Sequence, residues 1–216
     1  MKISYLVTTH NEGEYINDLL TAITIPAKLA GDEIIIVDDN STDETTLKIL
    51  HDAQQELGIT CYTHSLNRDF AAHKNWGNSK CSGDYIFQLD ADEIPPGHLI
   101  QHLHEIIESN HDVDVIVIPR INIVHGLTPQ DVARWGWHVN EKGWVMFPDY
   151  QMRIYKNTPN IKWYGNVHEH IIGNRTLATF PAEEMWAIKH YKDIERQRKQ
   201  NSYYEEIIMT VPKVSG

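Results

Sequence analysis

The chain has 216 residues, 41% of them hydrophobic and 23% charged, which is enough to bury a core and too apolar for a disordered polymer. Its formal net charge of −11 excludes a protein that lays a broad basic face on nucleic-acid phosphates. No apolar run approaches the roughly 20 residues that cross a bilayer, so no transmembrane segment is expected.

The first residues enter a β-branched run without the apolar stretch and cleavage site of a secretory signal, and a cytoplasmic location is expected. Cys61 and Cys81 lack close metal-ligand spacing and read as reduced thiols near the core. An acidic protein that binds a polyanion must neutralise it locally, with a metal or a few cationic side chains. Attention therefore falls on clustered carboxylates.

In chain order, short β-branched runs at 3–9, 33–38, 85–89 and 113–119 predict strands separated by helical segments. Asn11 with Glu14, and Ser41 with Glu44, fit capping boxes that start helices after the first two strands. Leu47, Ile49, Leu50, Ala53 and Leu57 give one helix an apolar face, and Leu99, Leu103, Ile106 and Ile107 another. Such a βα pattern predicts a mostly parallel sheet covered on both sides, with ligands bound beyond the carboxyl ends of its strands.

The polar residues at those ends are Thr8, Thr9, His10, Asn11 and Glu12, then Asp38 and Asp39, then Asp90, Asp92 and Glu93. Acidic residues at three strand ends predict one cation-binding crevice. After Pro119 come short strand-like pieces, a tryptophan-rich loop at 134–144 and a polar amphipathic tail at 193–209. No second core or linker is visible, so one domain is expected over 1–216.

The strongest local signal is Gln88-Leu89-Asp90-Ala91-Asp92-Glu93, two carboxylates one residue apart directly after an apolar strand. Mg²⁺ and Mn²⁺ prefer hard oxygen ligands and are held by one or two carboxylates together with substrate phosphates. Alone, Asp-x-Asp is more often a solvated turn or helix cap; its position after a buried strand, with Asp38-Asp39 at another strand end, favours a site.

Three runs, Tyr5-Leu6-Val7-Thr8-Thr9-His10-Asn11-Glu12, Ile34-Ile35-Ile36-Val37-Asp38-Asp39-Asn40-Ser41-Thr42-Asp43 and Gly83-Asp84-Tyr85-Ile86-Phe87-Gln88-Leu89-Asp90-Ala91-Asp92-Glu93, resemble in order and spacing the family 2 glycosyltransferases of the GT-A fold. The resemblance implies a GT-A-like, Rossmann-like α/β fold with a small mixed region in its second half. Residues 1–119 would bind the nucleotide-sugar donor, and residues 120–216 the acceptor. It implies donor contacts from Thr8, Thr9, Asn11, Glu12, Asp38, Asp39, Asp90 and Ala91, with Asp39 on the base and Asp92 on a divalent metal, Mn²⁺ or Mg²⁺. Arg68 and Lys74, in a segment that also resembles the family, would add charge near the phosphates.

The second half is similar to a subgroup of the same family through Asp149-Tyr150-Gln151-Met152-Arg153 and Trp163-Tyr164-Gly165-Asn166-Val167-His168-Glu169. Inverting members use a carboxylate as general base, for which Glu169 is the first candidate and Asp149 the second. A late histidine often joins the metal; His190 is preferred among 13 histidines, with His168 next. The implied reaction is inverting transfer of a sugar from a nucleotide-diphosphate donor, with uridine as the expected base, to an acceptor that is a glycan, a lipid-linked group or a protein. A nucleotidyltransferase and an inactive binding protein of the same fold are the alternatives. Trp135, Trp137 and Trp144 are candidates for an acceptor platform, whereas Tyr203, Tyr204, Ile207 and Ile208 read as the buried stripe of a closing helix.

Overall fold

The computed structural model describes residues 1–210, apart from the side chains of Glu14 and Thr210. The first apolar runs form β1 (Ile3–Thr9), β2 (Glu33–Asp38) and β4 (Tyr85–Asp90), all buried nearly throughout, as strands covered on both faces must be. With β3 (Thr60–Thr63) they make a parallel block in which β1 lies between β2 and β4. Helices α1 (Glu14–Ala30), α2 (Glu44–Leu57) and α3 (Phe70–Asn78) provide the crossovers. In register, Thr9 stands beside Asp38 and Thr8 beside Asp90, so the polar strand ends sit level.

The capping boxes expected at the first two helices do not form. The residue capping α1 is Gly13, at φ 48° and with no side-chain cap, and the Glu14 side chain lies outside the described set. For α2 the cap is Asp43, whose carboxylate accepts from Thr46 N at 2.8 Å. Asn11 Oδ1 instead accepts from Thr42 N and Asp43 N, while Ser41 Oγ donates to Asp38. The buried face of α2 is Thr46, Leu50 and Ala53; Leu47 is exposed, one position round the helix from the core.

After α4 (Gly97–Ser109), whose Leu99, Leu103 and Ile107 are buried as expected, the strand starting at Val115 does not stop at Pro119. It continues as β6 (Val115–His125), antiparallel to β7 (Val145–Lys156). On its other edge β6 pairs with β10 (Leu177–Thr179) up to Val117 and with β11 (Ile188–Asp193) from Arg120. Pro119 falls in the gap between these partners, where a missing N–H costs least. The short β5 (Glu93–Ile94) closes the far edge, giving the order β3-β2-β1-β4-β7-β6-β11-β5 with β10 added beside β6. The strands β8 (Lys162–Tyr164) and β9 (His170–Ile172) form a separate hairpin. Thus the sheet is parallel through β3-β2-β1-β4 and mixed beyond, as the resemblance implied.

The tryptophan-rich segment is partly helical: α5 (Pro129–Trp135) starts at a Thr128–Asp131 capping box. Trp135 packs on Trp137 and Trp144 on Phe147, as two separate pairs. The polar tail forms α6 (Ile194–Thr210), in which Ile207 is buried but Ile208 is exposed. Cys61 and Cys81 are free thiols, each pushed up to about 12 by burial.

At the amino ends of β1 and β2, Glu33 accepts from Lys2 Nζ, Ser4 Oγ, Ser82 N and Ser82 Oγ. Burial alone would raise its carboxyl, but these hydrogen bonds hold it at about 2. The stability this depressed carboxyl contributes is complete above its ordinary value of 4.5 and is lost as pH falls toward 2. Glu33→Gln is therefore expected to flatten the decline of melting temperature between those pH values; an unchanged decline would contradict the assignment.

Candidate active site

A cavity of about 620 Å³ opens beyond the carboxyl ends of β1, β2 and β4. Thr8, Thr9 and Glu12 reach it from the end of β1, Asp39 from β2, and Asp90, Ala91 and Asp92 from β4. Lys74 enters from α3, while His168 and Glu169 come from the turn before β9. The second half contributes by strand alternation, since side chains two residues apart share a face of the sheet. Arg120, Asn122 and Val124 on β6, Asp149, Gln151 and Arg153 on β7, and His190 and Lys192 on β11 all face the cavity. Register sets Arg120 opposite Asp149 and Asn122 opposite His190. The roof is one face of α6, where Arg196, Gln197, Gln200, Asn201 and Tyr204 fall at helical spacing.

Three residues expected at the donor stand outside this lining. Asn11 pins the turn before α2, as described above. The carboxylate of Asp38 is buried and turned to Ser41, accepting from both its N and its Oγ. Arg68 is exposed and paired with Glu206 at 2.7 Å. Among the tryptophans of the expected platform only Trp137 lines the cavity, and Tyr204, read as core, lines it as well.

At one end of the cavity Asp39 Oδ1 accepts from Leu66 N at 2.8 Å, and His10 Nδ1 lies 2.6 Å from the Asp39 carbonyl. Nearby, Thr9 Oγ1 is buried without a partner. Thr8 Oγ1 donates to Asp90 Oδ1 at 3.1 Å, Arg153 donates to Asp90 Oδ2 at 2.8 Å, and Lys74 Nζ is 3.7 Å from Oδ1. Burial alone would raise the Asp90 carboxyl; Lys74 and Arg153 outweigh it and hold the group far below the usual carboxylate range.

Charged groups then alternate across the sheet. Arg153, 2% exposed, joins Asp90 to the fully buried Glu93, and Arg120 joins Glu93 at 2.8 Å to Asp149 at 2.7 Å. Asp149 also accepts from Asn122 Nδ2 at 2.9 Å and from Gln151 Nε2 at 2.7 Å. Although burial opposes it, Arg120 and Asn122 hold the Asp149 carboxyl below its ordinary value. Glu169 is less tied: Oε1 accepts from Lys74 Nζ at 2.6 Å, and its other oxygen has no hydrogen-bond partner among the described residues.

The surroundings of Asp92 bear on a metal. Asn122 spends its amide donors on Asp149 and the Val145 carbonyl, so Oδ1 is left to accept from His190 Nδ1 at 2.7 Å. That network assigns the proton to Nδ1 and leaves the Nε2 lone pair facing Asp92 Oδ2 at 3.2 Å. Burial lowers the pKa of His190, which favours this neutral form. Two lone-pair donors that face each other at this separation suit a shared cation. Glu12, whose Oε2 is buried and unpartnered, adds acceptor capacity beside them, and burial with the nearby Asp92 charge raises its carboxyl to about 7. Among the described residues no group of three or more His, Cys, Asp or Glu could hold an ion unaided. The set thus fits a cation that takes its remaining ligands from a bound phosphate and water.

Fold and cavity together define an α/β protein with its ligand crevice beyond the carboxyl ends of its strands. The chain belongs to glycosyl transferase family 2, whose family model matches residues 4–186. It is 34% identical over 116 residues to the undecaprenyl-phosphate 4-deoxy-4-formamido-L-arabinose transferase of Enterobacter sp. (strain 638), a match covering 52% of this chain and 35% of that protein. The protein of the same name from Pseudomonas fluorescens (strain SBW25) is 36% identical over 115 residues, 51% of this chain and 33% of its own. The matched stretch spans only about a third of these relatives. Among solved structures, S. aureus TarS residues 1–349 in complex with UDP-GlcNAc shares the fold, with a TM-score of 0.62 at 17% identity over 89% of this chain and 59% of that one.

Several residues in the cavity carry no local sequence signal. Arg120 and Asn122 follow a proline that looks like a strand end, and Arg196 sits in a tail of ordinary polar composition. The signal for Arg120 and Asn122 is the two-residue alternation of β6, legible only once that segment is taken as a strand, whereas Arg196 belongs to α6.

Proposed function

We propose that the chain transfers a sugar from a nucleoside-diphosphate sugar, with uridine as the base, to a nucleophilic acceptor with inversion at the anomeric carbon. The observation that supports this most is the meeting of Asp39, Asp90 and Asp92 at neighbouring strand ends of a cavity that Glu169 also lines. Asp39 and the Thr8, Thr9 and Glu12 segment hold the nucleoside, and Asp90 and the Ala91 backbone face the ribose. Asp92 and His190 hold a divalent cation, Mn²⁺ or Mg²⁺. Bound there, the cation neutralises charge that develops on the departing diphosphate. His168 lines the cavity but packs edge-on against Tyr204 at 5.7 Å, a weaker candidate than His190.

Glu169 is the proposed base, because its second oxygen is free to take a proton from the acceptor. Asp149 is the poorer choice, with a lowered pKa and both oxygens occupied. Trp137, Val145 and Met146 give the cavity an apolar stretch of wall for the acceptor. The curated relatives are named for a lipid-linked phosphate acceptor, so a polyprenyl phosphate is the first to try, before glycan and protein acceptors. No helix of the described residues is long and apolar enough to cross a membrane. The reaction is assigned to the cytoplasm on the donor's chemistry, since nucleotide sugars are cytoplasmic metabolites.

The test incubates the protein with a panel of nucleotide sugars, Mn²⁺ and polyprenyl phosphate or simple glycosides, and measures free nucleoside diphosphate. Release from one donor class is expected. Pyrophosphate release from a nucleoside triphosphate would instead indicate a nucleotidyltransferase, and binding without release of either would indicate an inactive binding protein.

A further inference from the structure

Arg196 was not foreseen from the sequence, yet it reaches the most acidic part of the cavity. Its guanidinium donates to Glu12 Oε1 and lies 3.2 Å from Asp92 Oδ2. That oxygen is the same one that faces His190 Nε2, so the guanidinium stands at the carboxylate edge where a cation shared with His190 would bind. The remaining Glu12 oxygen is buried and unpartnered, which leaves the carboxylate pair with more acceptor capacity than Arg196 fills.

The position of Arg196 is built rather than incidental. Its backbone N donates to Asp193 Oδ1 at 2.8 Å at the start of α6, and its guanidinium lies over the Tyr15 ring at 5.6 Å. The helix that carries it roofs the cavity and is fastened by the Arg198–Asp131 and Arg68–Glu206 pairs, by the buried Ile207 and by Tyr204 against Phe70. An arginine fork matches the oxygens of two carboxylates and equally those of a diphosphate, with charge-assisted hydrogen bonds in either place.

We propose that Arg196 is a built-in counter-cation: without donor it holds Glu12 and Asp92 in place of a metal, and it releases Asp92 and turns to the diphosphate when nucleotide and metal enter. The inference rests on the reading of this crevice as a metal-assisted donor site. On this account Arg196 keeps the empty site from collecting metal and couples metal binding to donor binding, because Asp92 becomes available only when the guanidinium has a diphosphate to bind instead.

The test measures Mn²⁺ binding, from the electron paramagnetic resonance signal of free Mn²⁺, to the wild-type chain and to Arg196→Gln and Arg196→Lys, each without nucleotide and with uridine diphosphate. Removing a competing charge at this separation is expected to tighten donor-free Mn²⁺ binding by Arg196→Gln about tenfold. With uridine diphosphate the order reverses, since the variant has lost a cation for the phosphates. Arg196→Lys, which keeps the charge but not the fork, falls between. Equal donor-free Mn²⁺ affinity in wild type and both variants, each folded by circular dichroism, overturns the counter-cation role and leaves the donor reading standing. Failure of all three to bind Mn²⁺, with or without nucleotide, overturns the metal site and this inference together.

Discussion

Replacing Glu169 with Gln is expected to lower the turnover of sugar transfer by about 10²–10⁴-fold, the usual worth of a positioned general base. The change keeps the shape of the side chain, and the amide oxygen still accepts from Lys74 Nζ, now 2.6 Å from Glu169 Oε1. Nucleotide binding should therefore persist, because the groups proposed to hold the donor are untouched. Asp149→Asn should behave differently. It weakens the charge pairing with Arg120, so a loss of thermal stability should accompany any loss of rate. The decisive comparison is kcat beside donor affinity for both variants. Glu169→Gln with near-normal turnover, and Asp149→Asn with normal stability but none, would transfer the role to Asp149.

The largest effect on stability is expected at Arg153. It is buried between Asp90 and Glu93, with no exposed acid to exchange for either. Arg153→Met removes one cation and leaves a fully buried Glu93 with Arg120 as its remaining charged partner beside the Asp90 N–H. Breaking a buried charge pair on one side costs about 3–5 kcal/mol. For a protein of this size that is a fall of roughly 6–20 °C in melting temperature, since each kcal/mol shifts it by about 2–4 °C. Calorimetric melting measures this directly. Lys48→Met, which breaks an exposed i,i+4 pair with Asp52, should barely move the transition. Equal melting temperatures for the two variants would mean that the ion chain from Asp90 to Asp149 contributes nothing net.

The parallel block was legible in the sequence because β1, β2 and β4 are buried on both faces and read as continuous apolar runs ending in polar clusters. The register of Thr8 with Asp90 and Thr9 with Asp38 then follows from pairing three adjacent parallel strands. The mixed part of the sheet was hidden for a physical reason. β6, β7 and β11 put one face on the core and the other on the cavity, so Arg120, Asp149, Arg153 and Lys192 interrupt what would otherwise be apolar runs. Pro119 reinforced the impression of a strand end. The start of α2 is hidden because two caps compete: Ser41 donates to Asp38, and Asp43, two residues later, holds the free N–H of Thr46.

Among the candidate site residues, those at strand ends reached the cavity because strand direction alone aims them there. Asp38 did not, since its neighbour Asp39 takes the inward position, and Arg68 did not, since it turns outward to Glu206. Asn11 shows the same limit, because its side chain is spent on two backbone N–H groups of the following turn. Contacts made by Arg196 across 184 residues of sequence have no local pattern to announce them.

Asp92 is proposed to help hold a divalent cation against the diphosphate of a donor nucleotide. The most direct measurement is a calorimetric titration of uridine diphosphate into the wild-type chain and Asp92→Asn, each with Mn²⁺ and then with excess chelator. Binding to the wild type that chelator abolishes is expected, with an affinity at least about 10–100-fold weaker in the folded variant. Binding that is the same in both proteins and indifferent to chelator would contradict it.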